Sequence, residues 1–396
     1  MEPRDNPYAP GAGTQPPELA GRDDVIERVA VARDRFRAGR SARSMIGYGL
    51  RGVGKTVLLA KMRRDAAEAG FPTVWIEAPE GRSFPGLLIP PLRAALLRLD
   101  RGQAALAAGQ RAMRALAGFA RSVKMRYGDV EFGIDIEPEP GLADSGDLEL
   151  DLQDLLRSVG EAAQARETVM IIAVDELQYV PEEQLAALIA ALHAIGRDQL
   201  PVMMIAAGLP QLLGQMGRAK SYAERLFEFV SVDRLSTEAA TDALCLPANE
   251  LDVSYEPDAI EEILRQTQGY PYFLQEWGKH AWLLANASPI RREHAQAATP
   301  LALADLDASF FRVRFDRLTP AEKRYLRAMA ELGPGPHRSG DIADRLQRKV
   351  TTMAPLRNSL ILKGMIYSPS HGDTAFTVPL FDAFMKRIMP DFPIHA

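Results

Sequence analysis

Two hydrophobic rhythms divide the chain. Short, nearly unbroken apolar runs at residues 45–48, 73–78, 169–174 and 202–207, with a further one at 228–232, read as strands. The run Val169-Met170-Ile171-Ile172-Ala173-Val174 has no polar alternation, as a parallel strand buried on both faces requires. Between these runs apolar residues recur at helical spacing. One helix is capped by Asp23, one continues from Val57-Leu58-Leu59-Ala60, and a long stretch covers residues 87–119. Others span 147–165 and 182–195, the latter with Leu185, Leu188, Ile189, Leu192 and Ile195 on one face. Strands alternating with helices predict an α/β fold with a parallel sheet.

The pattern changes in four places. Residues 1–18 are Pro, Gly and polar residues with almost no large apolar side chain, and predict a flexible tail. Residues 123–137 alternate, suggesting a hairpin that turns near Gly128-Asp129, so 86–165 reads as an insertion between core strands. From 236 to 306 the chain is helical throughout, including Gly269-Tyr270-Pro271-Tyr272, where Pro271 starts a helix and its missing N–H does no harm.

The last module opens with a capping box, Thr319-Pro320-Ala321-Glu322. Helices follow at 321–332, 340–346 and 354–363, with Pro355 in the first turn of the third, and then a hairpin of 365–368 and 375–378. Three helices and a hairpin predict a winged helix with Leu356, Leu360 and Ile361 inward. Lys349, Thr351, Thr352, Arg357, Asn358 and Lys363 are then candidates to face a DNA groove and its phosphates. The expected division is a tail at 1–18, an α/β core at 19–235, a helical domain at 236–306 and the winged helix at 307–396.

Composition adds little to the fold but narrows the setting. With 396 residues, 47% hydrophobic and 25% charged, this is an ordinary globular sequence of two or three domains. No apolar run is long enough for a membrane helix and no apolar leader is visible, so a cytoplasmic location without membrane contact is expected. The single Cys245 agrees with a reducing compartment. The net charge of −5 is uneven. From Arg312 onward there are 14 Lys and Arg against 8 Asp and Glu, a local +6 that leaves −11 elsewhere and weakly favours a nucleic-acid partner for the C-terminal module.

The chemistry sits at two strand ends. Gly49-Leu50-Arg51-Gly52-Val53-Gly54-Lys55-Thr56 has the spacing G-x-x-x-x-G-K-T after a strand and before a helix, the phosphate-binding P-loop. Its glycines let backbone N–H groups face a polyphosphate at the positive end of the helix that Val57 continues. Lys55 would reach the terminal phosphates and Thr56 would hold Mg2+. The strand at 169–174 ends in Asp175-Glu176, where Asp175 would position Mg2+ and Glu176 would polarise an attacking water. No guanine-specifying Asn-Lys-x-Asp is present, which argues against GTP.

In this order, P-loop, Asp-Glu strand, helical domain and winged helix resemble the archaeal and bacterial AAA+ ATPases related to origin-recognition proteins and to STAND ATPases. The resemblance implies an adenine nucleotide, ATP or ADP, with Gly21-Arg22 forming a wall of its pocket, and a helical domain that acts as a lid. It further implies that Arg225 acts as an arginine finger and that the Gly-x-Pro turn at Pro271 packs on the nucleotide. Two features of the family are missing: a polar sensor after 202–207, where Ala206-Ala207-Gly208 stands with Gln178 as a substitute, and a lid arginine. Slow hydrolysis is therefore expected. The expected function is a Mg2+-ATP switch. An ATP-gated binder of duplex DNA and a regulatory scaffold that docks a protein, with structural nucleotide, are the alternatives; oligomeric state is open.

Overall fold

The computed structural model describes residues 1–11, 13, 16, 18–99, 106–127 and 136–391. Its central sheet contains β1 (Ser44–Tyr48), β2 (Thr73–Glu77), β3 (Met170–Asp175), β4 (Val202–Gly208) and β5 (Phe227–Ser231), in the order β2-β3-β4-β1-β5. All pairs are parallel, with Glu77 opposite Asp175 and Met45 opposite Ile205. The end of β1 and the end of β3 therefore open on the same edge of the sheet, where ligands of open α/β sheets bind. β3 and β4 are buried throughout, whereas the edge strand β2 alternates and ends in exposed Glu77.

Alternate strand residues serve two different layers. Ile171, Ala173, Met203 and Ile205 pack against α1 (Asp23–Arg37) and α2 (Lys55–Glu68). Ile172, Val174, Met204 and Ala206 meet the other layer, built from α3 (Phe84–Leu99), α4 (Leu106–Tyr127), α5 (Leu148–Ala165) and α6 (Glu182–Arg197). The stretch read as an insertion thus supplies much of one face of the core. The hairpin expected at 123–137 is not formed at its start: Val123–Tyr127 extend α4, because Leu116, Phe119, Ala120 and Val123 are buried together at helical spacing. Its turn, 128–135, lies outside the described residues.

Beyond α7 (Leu212–Ala219) and α8 (Ala223–Leu226), four helices occupy the stretch expected to be the lid, and that label is kept for them: α9 (Thr237–Asn249), α10 (Pro257–Thr267), α11 (Pro271–Leu284) and α12 (Arg292–Leu306). A π-helical turn, Asp307–Phe311, and α13 (Arg312–Asp316) carry α12 into the last module without a loop. That module contains α14 (Pro320–Glu331), β6 (His337–Arg338), α15 (Ser339–Arg345), α16 (Val350–Leu362), β7 (Ile366–Tyr367), β8 (Asp373–Phe376) and α17 (Phe381–Ile388), with its strands antiparallel in the order β6-β8-β7. The capping box is present, Thr319 N donating to Glu322 Oε2 at 2.7 Å and Glu322 N to Thr319 Oγ1 at 3.3 Å. Lid and module share one core, in which Phe311 stacks on Phe384 at 5.1 Å and approaches Phe273 at 6.4 Å.

Three expectations change here. The N-terminal residues 1–11 are packed rather than loose: Tyr8 is buried against the lid, donating to Leu244 O and accepting from the Tyr255 hydroxyl at 2.8 Å. Glu2 O accepts from Trp282 Nε1 at 3.2 Å, and Asn6 Nδ2 donates to Lys279 O at 3.0 Å. One large ring among small polar residues is enough to anchor the segment, and average composition hides it. Next, α16 begins at Val350, so Pro355 lies in its interior and leaves the Thr351 carbonyl without its usual amide. Finally, two of the six DNA candidates are occupied inside the module. Arg357 donates to Thr374 Oγ1 and Asp373 O, both at 2.9 Å, and Lys363 pairs with Glu322 at 2.7 Å.

Candidate nucleotide-binding site

The phosphate loop is shaped by contacts that only small residues permit. At Gly49 a Cβ would lie 1.9 Å from Val232 O, so glycine lets the chain leave β1 close beside the strand next to it. Gly52 takes a φ of +80° and supports the lid, its carbonyl accepting from Tyr272 N at 3.2 Å. The first turn of α2 then begins at Lys55, with its N–H groups facing the loop. Lys55 Nζ donates to Leu50 O at 2.7 Å; burial pushes its ammonium down to about 8, and Glu176 only partly restores it.

The end of β3 lies beside this loop. Asp175 is buried, accepts from Glu176 N at 2.9 Å and from the Thr56 hydroxyl, and has its pKa raised by burial. Two hard oxygen donors thus adjoin, one on a desolvated carboxylate that a divalent cation would stabilise in its charged form; they fit Mg2+. Glu176 leaves the strand in a left-handed conformation, φ +54°, which turns it into the cavity. Its carboxylate is held by Arg51 Nη1 at 3.5 Å and by Gln178 Nε2. Gln178 also accepts from Leu209 N at 2.9 Å, so it orients Glu176 and the end of β4 and does not line the cavity as a sensor.

A cavity of about 480 Å³ opens over the loop. Of the expected residues, Arg22, Gly52, Val53, Gly54, Lys55, Thr56, Val57, Glu176 and Pro271 line it together. Gly49 and Asp175 lie beneath, shaping the loop and holding Thr56. Arg22 donates to Val53 O at 3.3 Å and to Asp233 O, an internal clamp on the loop. Arg225 is not brought to the site: it is exposed on α8 and lines no part of the cavity. Lys349, Thr351, Thr352 and Asn358 are exposed on or just before α16.

Several lining residues escape sequence reasoning. Ala9, Pro10 and Gly11 come from the N-terminal segment, Gln275 from the lid, and Phe310 and Arg314 from the junction with the last module. Arg51 stands at a variable position of the loop motif, yet its Nη2 donates to Tyr179 at 2.8 Å and its backbone N to Thr377 O at 2.9 Å. No local signal marks these residues, since each meets a partner distant in the chain.

The sheet order and the phosphate loop give the core the fold of the AAA+ P-loop ATPases. Residues 18–205 match the AAA ATPase domain family, and residues 308–385 match a domain of unknown function. Among solved structures, the Walker-type ATPase PABY2304 of Pyrococcus abyssi is similar over 94% of this chain and 97% of its own, at 16% identity and a TM-score of 0.59. The Aeropyrum pernix Orc1 protein in complex with DNA aligns over 94% of each chain at 15% identity and a TM-score of 0.45. The Thermotoga maritima RuvB Holliday junction branch migration motor aligns over 92% of this chain and 96% of its own, at 14% and 0.45. No curated protein matches the sequence. Among the described residues no helix is long and apolar enough to cross a membrane.

Proposed function

We propose that the protein is a Mg2+-ATP-dependent switch with slow hydrolysis, in which nucleotide state sets the position of the lid and the C-terminal module. One observation carries this reading: the cavity over the P-loop is closed at once by the N-terminal segment, the lid and the junction to the last module. N-terminal segment, lid turn and junction helix all line it, and Arg51 joins the loop to the module through Thr377. Nucleotide entering there exchanges contacts with each of them, which is what differential affinity for two arrangements requires.

In this reading Lys55 and the α2 N-terminus hold the phosphates, and the apolar wall of Pro10, Leu19 and Ala20 faces the base. Thr56 and Asp175 would hold Mg2+, which when bound neutralises phosphate charge. Glu176 orients the attacking water. Arg51 and Gln178 already occupy its carboxylate, and Ala206-Ala207-Gly208 supplies no polar group, so turnover is slow. Arg225 is left to act only on a neighbouring copy.

The test is hydrogen exchange of the lid and residues 307–391 with ADP and with ATP trapped on Glu176→Gln, beside single-turnover hydrolysis by the wild type. Different protection in the two states supports a switch; identical protection with tight binding of both would make nucleotide a structural ligand of a docking scaffold. A second reading, ATP-gated binding of duplex DNA, is favoured by the exposure of Lys349, Thr351, Thr352 and Asn358 on a module that also carries the excess of basic residues. If that module is a winged helix, binding must weaken steeply with salt.

A further inference from the structure

Resting on the reading of a nucleoside triphosphate over the P-loop, we propose that Arg314 is the arginine that contacts the terminal phosphate, supplied within the same chain by the helix that leads into the C-terminal module. The lid position where such an arginine is expected holds none, and Arg225 is exposed elsewhere. Arg314 comes from α13, immediately after the π-helical segment, and lines the same cavity as Lys55, Thr56 and Glu176. A π turn rotates the helix beyond it relative to a plain α-helix, and such turns recur at working sites.

The guanidinium is pre-positioned. It donates to Phe310 O and lies 4.2 Å from the centre of the Phe310 ring. Phe310 in turn stacks on Tyr272 at 4.7 Å, and Tyr272 N donates to the Gly52 carbonyl at 3.2 Å. Two stacked rings therefore tie Arg314 to a phosphate loop that is distant in sequence. Held there, its charge lies within electrostatic reach of both Arg51 and Glu176.

Charge supports the same role. Lys55, Arg51 and Arg314 converge on a space where Asp175 lies beneath and Glu176 is in ion-pair contact with Arg51. Burial, and then repulsion from Arg51, push Arg314 down to about 10. A polyanion between the three cations removes both penalties at once, and a diphosphate leaves the outermost of them short of its partner. Because α13 continues α12 and enters the last module, contact at Arg314 draws the junction toward the loop that Thr377 already touches. Phosphate occupancy is thereby read by the C-terminal module directly.

Equilibrium titration of the full chain with Mg2+ and either ADP or a non-hydrolysable ATP analogue tests this. For Arg314→Ala the analogue should bind about tenfold more weakly or worse, the loss of one charge-assisted contact, and ADP less than about threefold more weakly. Arg317→Ala, which removes an exposed pairing with Glu80, should change neither. If Arg314→Ala lowers both affinities equally, or leaves the analogue unchanged, the assignment fails. Should the alanine variant lose its cooperative melt, Arg314→Lys decides: it keeps charge over Phe310 but not the planar fork, so the ratio of analogue to ADP affinity must still fall. A wild type that binds neither nucleotide would instead overturn the nucleotide reading on which this rests.

Discussion

The floor and the cover of the nucleotide cavity are built in opposite ways. The floor, Gly49 to Val57 with Asp175 and Glu176, comes from two short stretches at the ends of parallel strands of one sheet, and its residues keep the spacing of their motif. The cover takes Pro10 and Gly11 from the N-terminal segment, Pro271, Tyr272 and Gln275 from the lid and Phe310 with Arg314 from the junction. Grip on a phosphate is a local property that the first turn of one helix can supply, whereas response to which phosphate is bound needs parts that move separately. Predictions that separate floor from cover test whether this division is real.

The largest effect is expected in the cover, at a residue far from any phosphate. Tyr8→Ala removes a buried ring and leaves the Tyr255 hydroxyl unpaired, at a cost of about 3–5 kcal/mol in denaturant unfolding of the lid-containing unit. Tyr8→Phe keeps the ring and should cost about 1–2 kcal/mol. If neither variant changes stability, the N-terminal segment is not part of the cover. In the floor, Lys55→Ala should weaken ATP binding about 100-fold through lost charge-assisted contacts, with the unfolding midpoint of the empty protein nearly unchanged. Retained ATP affinity in that variant would remove the floor from the site altogether.

Legibility in the sequence followed the same division. The five strands, the P-loop and the Asp-Glu pair were readable because each depends on neighbours within a few residues: unbroken apolar runs for buried strands and fixed glycine spacing for the loop. The lid turn at Pro271 and the capping box at Thr319 were readable for the same reason. Tyr8, Arg51 and Arg314 were not, since nothing near them in the chain shows what they touch. Residues 123–127 failed differently: a two-residue alternation competes there with a helical stripe that includes Leu116, and the longer pattern buries more. Sequence alone places Arg357 and Lys363 facing outward, because it shows a charge but not the internal acceptor that uses it.

The protonation of Lys55 sharpens the comparison with a smaller, graded effect. Burial holds its pKa in the free protein at about 8, below the ordinary lysine value. Phosphate beside it must raise that value, so above about pH 8 binding takes up a proton. ATP affinity should therefore be flat with respect to this group below that pH and fall by up to about tenfold per pH unit above it. Calorimetry in buffers of different ionisation enthalpy reads the proton directly. Arg314, pushed down to about 10, would add its own fall only above that pH, so Arg314→Ala should leave the break at about pH 8 where it is while shifting the curve as a whole below pH 10.

The smallest effects separate two kinds of basic residue in the C-terminal module. Arg357 is half-buried and donates to Thr374 and Asp373, whereas Lys349 is exposed at the start of α16. Arg357→Ala should lower stability by about 1 kcal/mol by removing two hydrogen bonds, to acceptors that Ser339 and Ser368 still reach. Lys349→Ala should leave the melt unchanged. If α16 meets duplex DNA, the same substitution weakens binding and reduces the slope of log affinity against log salt by about one, the release of a single counterion. An unchanged slope for Lys349→Ala, with DNA binding intact, would move the contact to another face of the module. No salt dependence in the wild type would leave the module to protein docking, tied to nucleotide state through the hydrogen bond from Arg51 of the P-loop to Thr377.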